Sequence, residues 1–381
     1  MVLFDEKVTV TPPPRKPLGR ATLAGIWALV IALVVLLVLT FLPTAYVIQQ
    51  PGPVYNTLGT AQNADGEDVA LITVDGAETY PTDGSLDLLT VQVVGNPQRT
   101  PSWLELAGAW FDRTRAVLPL ESVFPAGQTT EQRRDQSTAM MVNSQQDATA
   151  AALTEAGFDV PSDIVVYEFS EDSASQGILE VDDVILAAND TPIDGVDDLR
   201  EVINDGDGEP VELTILRDGV EERVSVTPTE QTEADGTTTW VIGVILATDF
   251  EFPIDVQIQL NNVGGPSAGM MFALGIVDLL TPGDLTGGED VAGTGTITSD
   301  GIVGPIGGIR QKMWGAVGAG AEWFLAPQAN CDEVVGHVPD GLRVFAIEDL
   351  DDALTAVETV ADGGDLDALP ACTATTSSAV G

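Results

Sequence analysis

The chain is poor in positive charge. Its 381 residues hold 15 lysines and arginines against 59 aspartates and glutamates, a net charge of −44. A surface of that sign cannot neutralise phosphates, which excludes a nucleic-acid partner. It keeps the protein dispersed instead. Histidine is scarcer still, with His337 alone, in a polar loop between Gly336 and Pro339. A serine–histidine–aspartate triad would have to draw on that one residue. Cysteine occurs twice, as Cys331 and Cys372. With no cluster of soft ligands, no metal or other cofactor is expected. Pairing of the two cysteines and two free thiols both remain open. A Gly-x-x-x-x-Gly-Lys-Ser/Thr phosphate loop is also missing, so no ATP-driven step is built in.

Charge of either sign is absent between Arg20 and Asp65. Within that gap, residues 21–42 form an apolar run broken only by Thr22, Gly25 and Thr40. At about 1.5 Å per residue a helix of that length spans a hydrocarbon core of roughly 30 Å. The flank at residues 1–20 has Lys7, Arg15, Lys16 and Arg20 against Asp5 and Glu6. The positive-inside rule therefore predicts a cytoplasmic tail over 1–20 and an extracytoplasmic region after Pro43, with Trp27 and Tyr46 near the two interfaces. A cleaved signal peptide fits less well. The run exceeds a signal core, and Pro43-Thr44-Ala45 has proline where a small residue is wanted. A single uncleaved transmembrane anchor over 21–43 is expected.

Beyond the anchor, Pro51-Gly52-Pro53 predicts a stiff turn, 69–74 and 86–94 predict strands, and 103–118 predicts a helix. Trp103, Leu106, Trp110 and Phe111 fall on one side of that helix, for packing or for contact with a membrane surface. An Ala-rich helix is predicted over 131–156, opened by Thr130. From 157 to 228 the pattern changes to a strand at 164–169, a polar loop at 170–177, a strand at 184–186 and a short helix at 196–203. A hairpin over 211–217 and 220–227 turns at Asp218-Gly219. A polar link at 230–238 leads to strands at 240–246 and 254–260, the second strictly alternating. That strand delivers the chain to Gly264-Gly265-Pro266-Ser267 and an apolar helical run to Leu280. A strand at 294–298, a turn at Asp300-Gly301 and a tight turn at 305–308 then precede a helix over 309–320. Strands at 324–327 and 344–347 and a helix at 350–360 follow. Residues 364–381 predict a disordered acidic tail.

Two residues in this pattern carry chemistry. Ser267 sits at a helix start, where unpaired N–H groups favour a developing negative charge. Alone it would be an ordinary helix cap. Lys312 lies 45 residues on, in the first turn of the next helix. Of the 11 basic residues after Arg20, ten are arginine and Lys312 is the one lysine. Arginine serves a surface charge as well as lysine does, but only lysine sheds its proton when desolvated. Ser267 and Lys312 are therefore expected to act as nucleophile and base.

Residues 177–185 (Gly-Ile-Leu-Glu-Val-Asp-Asp-Val-Ile), Asp198-Leu199 and 211–219 resemble a bacterial PDZ domain, although that family usually has Gly-Asp where this chain has Asp182-Asp183. The resemblance implies a groove that adds a peptide as an extra strand; an unused groove in a structural domain is the alternative. Gly265-Pro266-Ser267-Ala268-Gly269, Gly293-Thr294-Gly295-Thr296-Ile297-Thr298 and Pro305-Ile306-Gly307-Gly308-Ile309-Arg310-Gln311-Lys312 resemble three ordered motifs of the Lon proteolytic domain. By that resemblance Ser267 is nucleophile, Lys312 is base, Thr294 holds the lysine, and Gly265, Pro266 and Ala268 support the serine turn. Many Lon proteases carry an acidic residue where this chain has Gly264.

Together these features resemble the membrane-anchored, PDZ-containing Lon-like proteases of Gram-positive bacteria. The implied fold is an α/β (α+β) proteolytic domain with an inserted PDZ-like β domain behind one transmembrane helix. The expected divisions are 1–20 tail, 21–43 anchor, 44–156 first protease part, 157–228 PDZ-like domain, 229–363 proteolytic domain and 364–381 tail. The implied activity is ATP-independent hydrolysis of unfolded or flexible extracytoplasmic proteins, by a homo-oligomer such as a hexamer. The alternatives are a non-catalytic membrane-tethered PDZ adaptor and a Ser-Lys acyltransferase or esterase.

Overall fold

In a chain segment without charge, a helix satisfies every backbone group internally. The computed structural model accordingly forms α1 over Arg20–Phe41, with none of its residues buried. It is long and apolar enough to cross a membrane, with a mean hydropathy of 2.9. The structure describes residues 19–63, 66–125, 127, 129–170, 173–193, 195–232, 238–260 and 263–373. The expected cytoplasmic tail up to residue 18, the Asn261-Asn262 pair and residues 233–237 of the polar link lie outside this set, as do residues 374–381.

After α1 come β1 (Tyr46–Asn56), β2 (Thr60–Gln62), β3 (Asp68–Ala70), β4 (Ile72–Asp75), β5 (Ser85–Val94), α2 (Trp103–Trp110), β6 (Ala116–Pro119), α3 (Leu120–Val123) and α4 (Thr130–Glu155). Then follow β7 (Ser162–Phe169), β8 (Val184–Ala188), β9 (Thr191–Pro192), α5 (Val196–Asp205), β10 (Val211–Arg217), β11 (Val220–Val226), β12 (Thr229–Thr232), β13 (Thr238–Val241) and β14 (Val244–Phe250). The remainder is β15 (Asp255–Ile258), α6 (Gly269–Leu280), β16 (Asp290–Gly293), β17 (Thr296–Ile297), β18 (Val303–Gly304), α7 (Ile309–Ala319), β19 (Trp323–Pro327), α8 (Cys331–Val334), β20 (Arg343–Ile347) and α9 (Leu350–Ala361).

The chain divides into two compact units, residues 1–50 with 92–128, and residues 51–91 with 129–381. In the first, Tyr46–Gln49 of β1 pair antiparallel with Ala116–Pro119 of β6. Ile48, Leu106 and Ala109 form a small core there. The helix expected over 103–118 stops at Trp110. Asp112 accepts from the N–H and hydroxyl of Thr114, a side-chain turn that competes with the helix. The chain beyond it gains its hydrogen bonds from β1 instead. Pro51-Gly52-Pro53, expected as a turn, lies inside β1. The hydroxyl of Thr90 on β5 donates to the Pro53 carbonyl at 2.7 Å.

In the second unit, the sheet order β20-β19-β16-β5-β1 places β5, from the first part of the chain, beside β16 from the last. The β5–β16, β16–β19 and β19–β20 pairs are parallel. One core joins Leu71, Leu86 and Leu88 and the alanines Ala148, Ala151 and Ala152 of α4 to α6 and α9. Helix α6 is apolar on all sides and buried from Gly269 to Asp278, the position such a helix requires. Each large side chain it hides, such as Phe272 or Leu274, is worth about 1.5–3 kcal/mol. The insertion between α4 and β15 is a separate β domain with strand order β11-β10-β8-β7-β14 and its own core under α5. The inserted sheet takes in one strand beyond the boundary expected at 228. Strand β14 pairs with β7 from Val244↔Phe169 to Phe250↔Ser162, so the inserted sheet runs to residue 250.

The tail expected to be disordered from 364 is held as far as 373. Arg343 pairs with Asp367 at 2.7 Å, and Ala346 donates to the Pro370 carbonyl. Leu366 and Leu369 pack on the core, and Cys372 is disulfide-bonded to Cys331. Its acidic composition hid a few well-placed apolar and sulfur contacts.

Candidate active site

Strand β15 pairs with β4 and brings the chain to the loop before α6. At Gly265 the backbone turns through φ +87°, a conformation glycine adopts without steric cost. Helix α4 grips this loop. The Gly265 N–H donates to the Ser137 carbonyl at 2.9 Å, and the Ser144 hydroxyl donates to the Pro266 carbonyl at 2.9 Å. A side chain at Gly264 would begin 2.4 Å from the Ser137 hydroxyl oxygen. Docking of α4 therefore accounts for glycine at this position.

Lys312 enters from α7. The turn before that helix is clamped by Asn330, which is buried. Its carbonyl oxygen accepts from the Ile306 N–H and its amide donates to the Ile306 carbonyl, both at 2.9 Å. Lys312 is 1% exposed. Its Nζ lies 2.8 Å from Ser267 Oγ and 2.7 Å from Thr294 Oγ1. Thr294 Oγ1 in turn donates to the Ser267 carbonyl at 2.9 Å, and the Gly295 N–H donates to the same oxygen at 3.1 Å. The three residues thus form a closed set, with Thr294 tying both the lysine head and the serine backbone. Among the described residues no carboxylate pairs with Lys312. Burial alone lowers its pKa from 10.5 to about 7.

Ser267 is half-buried, with its hydroxyl against the lysine amine. Ala268 caps α6, and among the described residues the N–H groups of Ser267 and Ala268 donate to no protein acceptor. These groups at a helix start can receive an oxyanion. A groove of about 930 Å³ runs along α4 and residues 258–260 to Val263 and Gly264; its ionisable lining residues are Arg133 and Arg134. His337 is exposed; its ring meets the Val335 carbonyl and its backbone N–H donates to the Val334 carbonyl.

The motif residues Ser267, Thr294 and Lys312 converge, and Gly265, Pro266 and Ala268 form the turn around the serine. Ser137, Ser144 and Asn330 were missed. The serines lie on a helix read only as packing, 122 residues before their contact in the case of Ser144. The motifs carry no signal of that distance. Residues 259–359 match the model of the Lon protease (S16) C-terminal proteolytic domain, and residues 128–227 match the PDZ domain. The chain carries a Lon-type proteolytic domain and a PDZ domain.

Relatives of the Lon-type domain include Lon protease 2 of Herpetosiphon aurantiacus, 40% identical over 108 residues, which are 26% of this chain and 13% of that protein. The Lon protease of Geobacter metallireducens is 35% identical over 122 residues, 30% of this chain and 15% of that protein. The chain therefore spans a small part of the length of the curated relatives it matches. Among solved structures, the PDZ domain of the SdrC-like protein of Listeria innocua is 20% identical, with 22% of this chain and 92% of that chain covered and a TM-score of 0.20. The corresponding domain from Listeria monocytogenes is 18% identical, with 22% and 85% covered and a TM-score of 0.20. The PDZ match ends at β11, whereas the sheet it belongs to continues to β14. All three members of the Ser267, Thr294 and Lys312 set fall within the Lon-type match.

Proposed function

We propose that this chain is a membrane-anchored, ATP-independent serine endopeptidase in which Ser267 and Lys312 form the catalytic dyad. The observation that carries this reading is a buried lysine, with no counter-ion among the described residues, 2.8 Å from the serine hydroxyl. Neutral Lys312 accepts the Ser267 proton as Oγ attacks the substrate carbonyl. The N–H groups of Ser267 and Ala268 receive the oxyanion. Collapse of the tetrahedral adduct breaks the C–N bond, and Lys312 returns its proton to the departing amine. Water then attacks the acyl-enzyme, again giving a proton to Lys312. The second collapse frees the carboxylic product and restores Ser267. Thr294 keeps Nζ aimed at Oγ throughout.

The groove along α4 is the candidate path for an extended substrate, and the PDZ domain offers a second peptide-binding surface. The Cys331–Cys372 disulfide supports an oxidising, extracytoplasmic setting for the proteolytic domain, and α1 supplies the anchor. A homo-oligomer is part of this proposal. The test is turnover of casein or a quenched peptide by the full chain in detergent. Ser267→Ala and Lys312→Arg should each lose roughly 10³-fold or more in kcat. Equal turnover in all three proteins would end the reading.

A further inference from the structure

We propose that α2 lies on the surface of a lipid bilayer, with Leu104, Trp110 and Phe111 entering the interface. The proposal rests on reading α1 as the membrane span. A helix that is apolar around its circumference belongs in a core or in lipid. Helix α2 is Trp-Leu-Glu-Leu-Ala-Gly-Ala-Trp, and its single charge, Glu105, is engaged in a capping box with Ser102. Leu106 and Ala109 face the small core of the first unit. The single side expected for Trp103, Leu106, Trp110 and Phe111 is not what forms: Leu104 and Trp110 on the helix and Phe111 at its C-terminal cap are 57%, 62% and 91% exposed. Three large apolar side chains left open on one short helix and its cap need a partner.

Two observations identify that partner as a bilayer. The first is continuity with α1. Three residues after α1 ends, the Thr44 N–H donates to Thr100 Oγ1 at 3.0 Å and the Thr44 hydroxyl donates to the Pro101 carbonyl at 2.8 Å. The residues immediately before α2 are thus pinned to the exit of the span, and α1 and α2 are themselves in contact. The second is charge. Arg99, Arg113 and Arg115 flank α2, all exposed, against Glu105 and Asp112, in a chain of net charge −44. Arginine beside exposed tryptophan and phenylalanine suits an interface with anionic headgroups, where the rings sit at headgroup depth and the guanidinium groups reach phosphate.

The test uses the full chain reconstituted in vesicles of phosphatidylcholine and phosphatidylglycerol, with bromine placed either near the headgroups or deep in the acyl chains. Tryptophan quenching reports depth. Trp27, within α1, reports the span; Trp110 reports α2. With Trp27→Phe, shallow bromines should still quench, and adding Trp110→Phe should remove most of that quenching. Arg113→Glu with Arg115→Glu should weaken it in vesicles rich in phosphatidylglycerol. If the wild-type chain is quenched by either lipid while Trp27→Phe is quenched by neither, the span stands and the proposal falls, leaving the patch to a protein partner. If the wild-type chain is not quenched at all, the anchor fails and the proposal with it. The aromatic replacements keep a ring at each site, so loss of fold does not confound the reading.

Discussion

Burying Lys312 with no carboxylate partner among the described residues disfavours its charged form, which costs stability and supplies a neutral base. In the unfolded chain a lysine is protonated below about 10.4; here the folded value is about 7. Between those values the unfolded chain binds the extra proton, so stability rises with pH across that window. Below about 7 both states hold the proton and the full penalty, on the order of a few kcal/mol, is present. Lys312→Met should therefore raise Tm at pH 6, and the gain should shrink towards pH 10; a thermal-melt series checks this. Activity moves with pH in the same direction as stability, but over a lower range. kcat/KM should rise with pH through about 7 and level off above it, as neutral lysine becomes available. A profile that is flat across that range would remove Lys312 as the base. Thr294→Val, close in shape, should lower kcat roughly 10- to 100-fold with little change in KM, because the ammonium or amine loses its positioning partner.

Among the elements, α4 and the turn held by Asn330 set the geometry from behind. Ser144 and Ser137 hold the serine loop from one side, and Asn330 holds the turn that begins the lysine helix from the other. Asn330→Ala would leave the Ile306 N–H and carbonyl without a side-chain partner. Two buried groups in that state cost about 1–3 kcal/mol each. The expected result is a lower denaturation midpoint together with a reduced kcat and a nearly unchanged KM. Loss of stability with full activity would show that the clamp does not position the lysine.

For the molecule as a whole, the strand β5 and helix α4 precede the inserted β domain, and α6 and the strands β16, β19 and β20 follow it. They share one core all the same. Closing that core requires long-range pairing, which is slow to form because the loop entropy is lost before the contacts are gained. The Cys331–Cys372 bond, whose ends are 41 positions apart in sequence, fastens the last described segment beside α8 and the Asn330 clamp. Reduction should cost about 2–4 kcal/mol of stability. It is checked by comparing thermal melts with and without a thiol reductant against Cys331→Ser/Cys372→Ser, on which reductant should have no effect.

Local patterns were readable from residues alone. An uncharged apolar run dictates α1, and Asp218-Gly219 dictates a two-residue hairpin, with both residues at positive φ and Arg217 facing Val220. A lysine that stands alone among arginines pointed to Lys312, and three ordered motifs placed Thr294 and Ser267 with it. What sequence could not decide were pairings between distant segments. Strand β14 joins β7, the Trp110 helix yields to a strand at 116, and the acidic tail is held to residue 373, each because a partner far along the chain supplies the hydrogen bonds or contacts. The same applies to the site. Sequence by itself nominated Ser267 and Lys312 and, through the likeness to the Lon proteolytic domain, Thr294 as the residues proposed to carry the chemistry, since side-chain type and motif order are properties of the chain. Only the tertiary structure decided that Lys312 is buried, uncompensated and 2.8 Å from Ser267, since desolvation and distance are properties of packing.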